Sequence, residues 1–267
     1  MFLLPTRALQ AAMALALSPP SGESRGPELI RVAVAMNALA ILVVILRFFT
    51  RGYIVRTFGL DDFFIAIATM LGAAMTAMTI LQVESGQGRH VLELTDDQMM
   101  RSMLFMWIDM LIYFLANWAV KMSILALYHR ISHGTKGLPL IMNARLIYVI
   151  AGFISIFTVG IMFATVLSCD PVAMPWDTES APTGCHSIRE FNISQGSINV
   201  FTDFVLLLLP IPLVLALQID RKQRAALILI FGIGVVPLIA SIRRLCELSM
   251  PNEKGSWLTA DMTWYVM

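Results

Sequence analysis

Charge is what this sequence has least of. Only 14% of its 267 residues are Asp, Glu, Lys or Arg, where a soluble globular chain carries about 25%. That shortage excludes a soluble enzyme, and it excludes a disordered chain, which combines low hydrophobicity with high charge. Neither sign is in surplus: 19 basic and 18 acidic residues leave a net charge of +1. No nucleic-acid partner is expected, because the footprint for a polyanion is missing. Cysteine (3) and histidine (4) are scarce and do not cluster. No His-x-x-x-His with a third carboxylate, no nucleophile elbow and no phosphate-cradling glycine loop occurs. The sequence therefore singles out no catalytic residue, metal site or cofactor.

Apolar residues fill the space that charge leaves. They make up 58% of the chain, and mean hydropathy is +0.76. They come in runs of roughly 20, enough to cross a ~30 Å hydrocarbon layer at 1.5 Å per residue. The spans read 30–49, 63–83, 103–128, 146–167, 194–217 and 225–242, and a last apolar stretch, 257–267, is too short to cross. The predicted fold is an all-α, polytopic transmembrane helix bundle of six spans plus a truncated seventh. Unbroken runs of this length exclude a membrane β-barrel, whose strands alternate over about 10 residues. Residues 1–29 form a tail with a signal-like segment, Ala8 to Leu17, after Arg7, and 30–267 form the transmembrane domain. No repeat relates the first three spans to the next three, which counts against a transporter built from inverted halves.

Lys and Arg in the short loops set the expected orientation. Arg47, Arg51, Arg56, Arg130, Lys136, Arg145, Arg221, Lys222 and Arg224 lie in one set of loops, against Arg89, Arg101 and Arg189 in the other. The first set is expected in the cytosol and the N-terminus outside. Adding Arg7, Arg25, Arg31, Arg243, Arg244 and Lys254 from the tails narrows the margin.

Ionisable groups inside hydrocarbon are costly and mark candidate sites. Asp109, Lys121 and Asp203 qualify, and Asn199 shares a helix face with Asp203 four residues on. Either these groups join helices, or they line a ligand pocket in the outer half of the bundle with Trp107. Counted along the spans, Lys121 and Asp203 differ in depth by roughly 10 Å, so they should not meet directly. Asp109 is expected near Arg243 and Arg244. Asp61 and Asp62 open the second span, where they suit the helix N-terminus and can neutralise Arg51 or Arg56. Pro210 and Pro212 should kink the fifth span. Ala68, Gly72 and Thr76 give the second span a small-residue face for close packing. Met99, Met103, Met106 and Met110 follow helical spacing and read as adaptable packing. Cys169 and Cys185 share an outer loop and should form a disulfide, with Cys246 as the competing partner. Asn192-Ile193-Ser194 is a formal glycosylation sequon abutting the fifth span.

Taken in order, several motifs resemble the fungal rhodopsin-like domain family of integral membrane proteins, which includes Pth-eleven-like receptors and a membrane protein of the satratoxin cluster. They are Leu60-Asp61-Asp62, Gly86 to His90, Lys121 to Ile131, Cys169-Asp170-Pro171 with Trp176 and Cys185, Asn199 with Asp203, Pro210 and Pro212, and Ser241-Ile242-Arg243. The resemblance implies a seven-helix, receptor-like, multi-pass protein of the plasma membrane or an endomembrane. It implies a small or surface-derived ligand, or a role in secondary metabolism, with a possible cytosolic signalling partner. Alternatives are a membrane-embedded cyclase or isomerase of a lipophilic intermediate, or a transporter. Retinal is not expected: a Schiff base needs a buried Lys, and Lys121, the one Lys within a span, reads as close to the inner interface.

Overall fold

The computed structural model describes residues 26–87, 94–134, 144–167 and 188–209, with short helical stretches between 234 and 246. Five helices account for most of it: α1 (Gly26–Phe49), α2 (Leu60–Glu84), α3 (Asp96–Gly134), α4 (Ala144–Val166) and α5 (Ile188–Leu208). Among the described residues there is no strand. Four segments are long and apolar enough to cross a membrane: Gly26–Ile54, Leu60–Glu84, Asp96–Arg130 and Arg145–Val166. The sixth span lies mostly outside the described residues and the seventh wholly so, as do Cys169, Cys185, Pro210 and Pro212.

α3 is the axis of the bundle. It packs against α2 and α4 along much of its length and touches α5 more lightly. With 39 residues, it is about 58 Å long, well beyond one hydrocarbon thickness. Met122 and Leu125 of α3, Ile147 and Ile154 of α4, Leu206 of α5 and Leu209 just beyond it form the buried core. The outward faces are as apolar as the core: Ile156 and Phe163 on α4 and Phe201 on α5 are more than half exposed. Such surfaces suit lipid, where burial offers little gain and close packing joins helices. Hydroxyls are satisfied locally. Thr69, Thr76, Thr79, Ser155 and Thr165 each donate to the carbonyl four residues earlier, at 2.8–3.0 Å, so none is left unmet in hydrocarbon.

α1 widens into a π-helical turn, Thr50–Val55, and stops at Arg56, whose φ of 52° reverses the chain. Gly59 then caps the start of α2. The carbonyl of Gly59 accepts the N–H groups of Asp62 and Phe63 at 3.1 and 3.3 Å, and its own N–H donates to Asp62 Oδ2 at 3.1 Å. A Cβ on Gly59 would collide with the Asp61 carboxylate and stand 3.2 Å from Arg130 Nη1. Glycine is needed here for that close approach, not for its φ, which is an ordinary −134°.

α5 departs from the expected fifth span. It begins at Ile188, six residues before Ser194, and ends at Leu208, two residues before Pro210. The early turns contain Asn192, Ser194 and Gln195, polar residues that lower hydropathy without disfavouring a helix. The Asn192 sequon therefore sits inside a helix, with Asn192 half-buried.

Candidate functional site

Where α3 and α5 meet, polar residues converge in an apolar setting. Asn117 and Lys121 are one turn apart on α3, and Asn199, Thr202 and Asp203 occupy successive positions on one face of α5. The Lys121 ammonium donates to Asn199 Oδ1 at 2.8 Å and Thr202 Oγ1 at 2.6 Å, and it pairs with Asp203 Oδ1 at 3.0 Å. Asn117 Nδ2 donates to Asn199 Oδ1 at 2.5 Å. The other Asp203 oxygen accepts from Ser241 at 3.1 Å and from Asn199 Nδ2 at 3.4 Å. The side chain of Lys121 is 5% exposed and that of Asp203 19%. All three ammonium hydrogens are thus committed, and the charge is cancelled within the cluster. Full satisfaction of this kind is what lets ionised groups persist in a low-dielectric interior.

The direct Lys121–Asp203 pair corrects the depth expected from the sequence. Asn117 and Asn199 are 82 positions apart, and Lys121 and Asp203 have the same offset, so parallel α3 and α5 hold the two charges at one level. The starts of apolar runs are poor depth marks. α3 continues as helix through the polar stretch Asp96 to Arg101, and α5 through Glu190 to Ser197. The register follows the buried polar pairs instead. Lys121 consequently lies within the bundle rather than reaching toward an interface.

Of the five residues expected to line a pocket, three come together: Lys121, Asn199 and Asp203. Asp109 and Trp107 sit on the same helix about 18 and 21 Å further toward its start, at 1.5 Å per residue, outside this cluster. Asn117, Thr202, Gln195 and Ser241 were not singled out as pocket residues. Asn117 lies four residues before Lys121, a spacing that could have flagged it. Ser241 could not be placed, because its partner lies on another span.

A cleft of about 380 Å³, counting its open mouth, borders the cluster. α3 contributes Phe114, Asn117, Trp118 and Lys121, α4 contributes Ile154, Phe157, Thr158 and Ile161, and α5 contributes Gln195, Asn199 and Thr202. Its enclosed part has room for about one water. Trp118 Nε1 donates to Ser155 at 3.0 Å, and the Thr158 hydroxyl to the Ile154 carbonyl at 2.8 Å. Among the described residues, no three His, Cys, Asp or Glu side chains group as a metal site.

A second cluster closes one end of α1, α2 and α3. Arg47 reaches Asp61 at 2.5 Å and Asp62 at 2.8 Å, Arg51 reaches Asp61 at 3.1 Å, and Arg130 approaches Asp61 at 3.5 Å. Asp61 and Asp62 are buried. The expected neutralisation by Arg51 is present. Arg56 is exposed and takes no part among these pairs, because the left-handed backbone there turns the chain away; Arg47 and Arg130 do the work instead. Ser123 also donates to the Asp61 carbonyl at 2.8 Å.

Comparison with known sequences places this architecture. The fungal rhodopsin domain profile matches residues 46–267, and the chain belongs to that family, as the ordered motifs from Leu60 to Arg243 implied. It is 25% identical over 201 residues to wortmanamides biosynthesis cluster protein C of Talaromyces wortmannii, covering 74% of this chain and 54% of that one. It is 23% identical over 222 residues to polyenoic acids biosynthesis gene cluster protein Ba17b of Metarhizium anisopliae, covering 81% and 59%. It is 30% identical over 146 residues to an SAT4 family membrane protein of Emericella nidulans, covering 54% and 36%. The chain thus spans little more than half the length of the first two relatives and about a third of the last. No solved structure matches it.

Proposed function

We propose that this fungal rhodopsin domain protein is a receptor-like membrane protein that senses a small or surface-derived ligand in the service of a secondary-metabolite pathway. The observation that carries the reading is the buried Lys121–Asp203 pair, which ties α3 to α5 beside a cleft. A ligand shifts a conformational equilibrium only through contacts that differ between two states. A molecule seated in the cleft that bonds to Asn117 on α3 and Gln195 on α5 bridges the two helices beside the tie, so its contacts differ once they shift and it meets that condition. The names of two relatives, both biosynthesis cluster proteins, support the pathway context. The excess of Lys and Arg in the short loops supports a cytosolic location for the Arg47–Asp61 end and a multi-pass topology with the N-terminus outside. A signalling partner would then meet the cytosolic end of α3.

Catalysis finds less support. A cyclase or isomerase acid must give its proton to substrate, whereas Asp203 is engaged by Lys121, Asn199 and Ser241. The test is a strain lacking the gene and complemented with the wild-type chain or with Asp203→Asn. Asparagine retains most of the hydrogen bonds but abolishes the ion pair. Metabolite output or ligand response should fall toward that of the deletion while membrane abundance holds. Wild-type output would leave Asp203 a purely structural residue and defeat the sensing role assigned to the pair.

A further inference from the structure

We infer that the cleft among α3, α4 and α5 is a side-entry site for an uncharged lipophile with one hydrogen-bonding head, a hydroxyl or a carboxamide, whose tail lies toward the bilayer. This rests on the ligand-sensing reading and names the class of ligand. Three observations converge on it.

The first is spare hydrogen-bonding capacity. Lys121, Thr158, Thr202 and Trp118 have committed their donors. Among the described residues, the Gln195 carboxamide and the Asn117 Oδ1 have no such partner, and both residues line the cleft. Gln195 offers a neutral donor and acceptor and Asn117 a further acceptor, complementary to a group that both donates and accepts. The second is charge. Asp203 already cancels Lys121, so an ionised carboxylate would lose its water and meet no unmatched cation. The third is shape. The enclosed part admits about one water, which is the size of a head group and not of a whole ligand. The rest of the lining is largely apolar, with Phe114, Ile154, Phe157 and Ile161 among it. α4 and α5 barely touch, so among the described residues the mouth opens sideways, between two helices whose outer faces are apolar.

The purified full chain in lipid nanodiscs is photolabelled with a diazirine-bearing long-chain primary amide, and the label is mapped by peptide mass spectrometry. Label should appear on α4 and α5 around Ile154 to Ile161 and Gln195. Unlabelled long-chain amide or alcohol should compete, and an alkane of equal length should not. Gln195→Leu should weaken labelling about tenfold, the factor for one hydrogen bond. Thr158→Trp, which fills the cleft without touching the charged pair, should do the same. Equal competition by the alkane, or labelling indifferent to both variants, overturns the site. Stronger competition by an ionised fatty acid overturns the neutral head. If the site fails while Asp203→Asn still abolishes the cellular response, sensing stands and its ligand binds elsewhere. If the label maps here but Gln195→Leu leaves the cellular response intact, the site stands and the sensing reading falls.

Discussion

Removing Lys121 from the α3–α5 cluster has a cost that can be worked out from its contacts. Lys121→Met keeps the length of the side chain and deletes three hydrogen bonds, leaving Asp203 with Ser241 at 3.1 Å and Asn199 at 3.4 Å. Stripping one partner from a buried ion pair costs about 3–5 kcal/mol. The 19% exposure of the Asp203 side chain and its two remaining donors argue for the lower end, about 3 kcal/mol. Lys121→Met/Asp203→Leu removes the stranded carboxylate as well, and replacing a buried pair by apolar residues is often close to neutral. A double-mutant cycle should therefore show coupling of at least about 3 kcal/mol, well above the ~0.6 kcal/mol average for hydrogen bonds between membrane helices. The assay is reversible unfolding in mixed micelles titrated with SDS, followed by tryptophan fluorescence, since Trp118 lines the same cleft. Additive single effects, with coupling below about 0.5 kcal/mol, would refute the claim that the pair acts as a unit.

Gly59→Ala should destabilise the α1–α2 turn by about 1–3 kcal/mol through overpacking against Asp61 and Arg130, seen as a lower unfolding midpoint in the same titration; wild-type stability would mean the turn can widen at no cost. Arg56→Cys, at an exposed position beyond α1, should react with a membrane-impermeant maleimide only after cells are permeabilised, and labelling of intact cells would reverse the orientation. Non-reducing peptide mapping should recover a fragment linked through Cys169 and Cys185, a closure worth about 3 kcal/mol by loop entropy; alkylation of both as thiols would reject the bridge. These two cysteines lie outside the described residues, so their pairing rests on their sharing one loop and on the proposed orientation, which would put that loop in an oxidising compartment.

The first four helices were legible because hydrocarbon imposes a length and a composition, and a run of 20 apolar residues has few other uses. The start of α5 was not legible, because Arg189, Glu190 and Asn192 ahead of the apolar run read as loop residues to a hydropathy count yet sit comfortably in a helix. Depth was the larger failure. Counting from the ends of apolar runs separated Lys121 from Asp203, whereas side-chain pairing brought them level, and nothing local to either helix encodes how far one slides along another. Asp61 and Asp62 were recognisable as N-terminal acids opposite Arg51. The involvement of Arg130 required knowing that α3 returns antiparallel to α2, a tertiary fact.

The Arg–Asp cluster at the end of α1 and α2 also bears on the order in which the chain can enter a membrane. Ribosomal synthesis delivers Arg47 and Arg51 first, and their partners Asp61 and Asp62 follow 10 to 15 residues later. A hairpin of α1 and α2 thus cancels its own charge across the turn before α3 exists, which lowers the cost of carrying those groups toward the bilayer edge. Arg130 is made some seventy positions later, and it docks on an acid whose other two arginines are already in place. Damage to Asp61 would accordingly strike during the first hairpin, when the newborn segment must choose between the translocation channel and lipid, well before the ligand cleft has been synthesised.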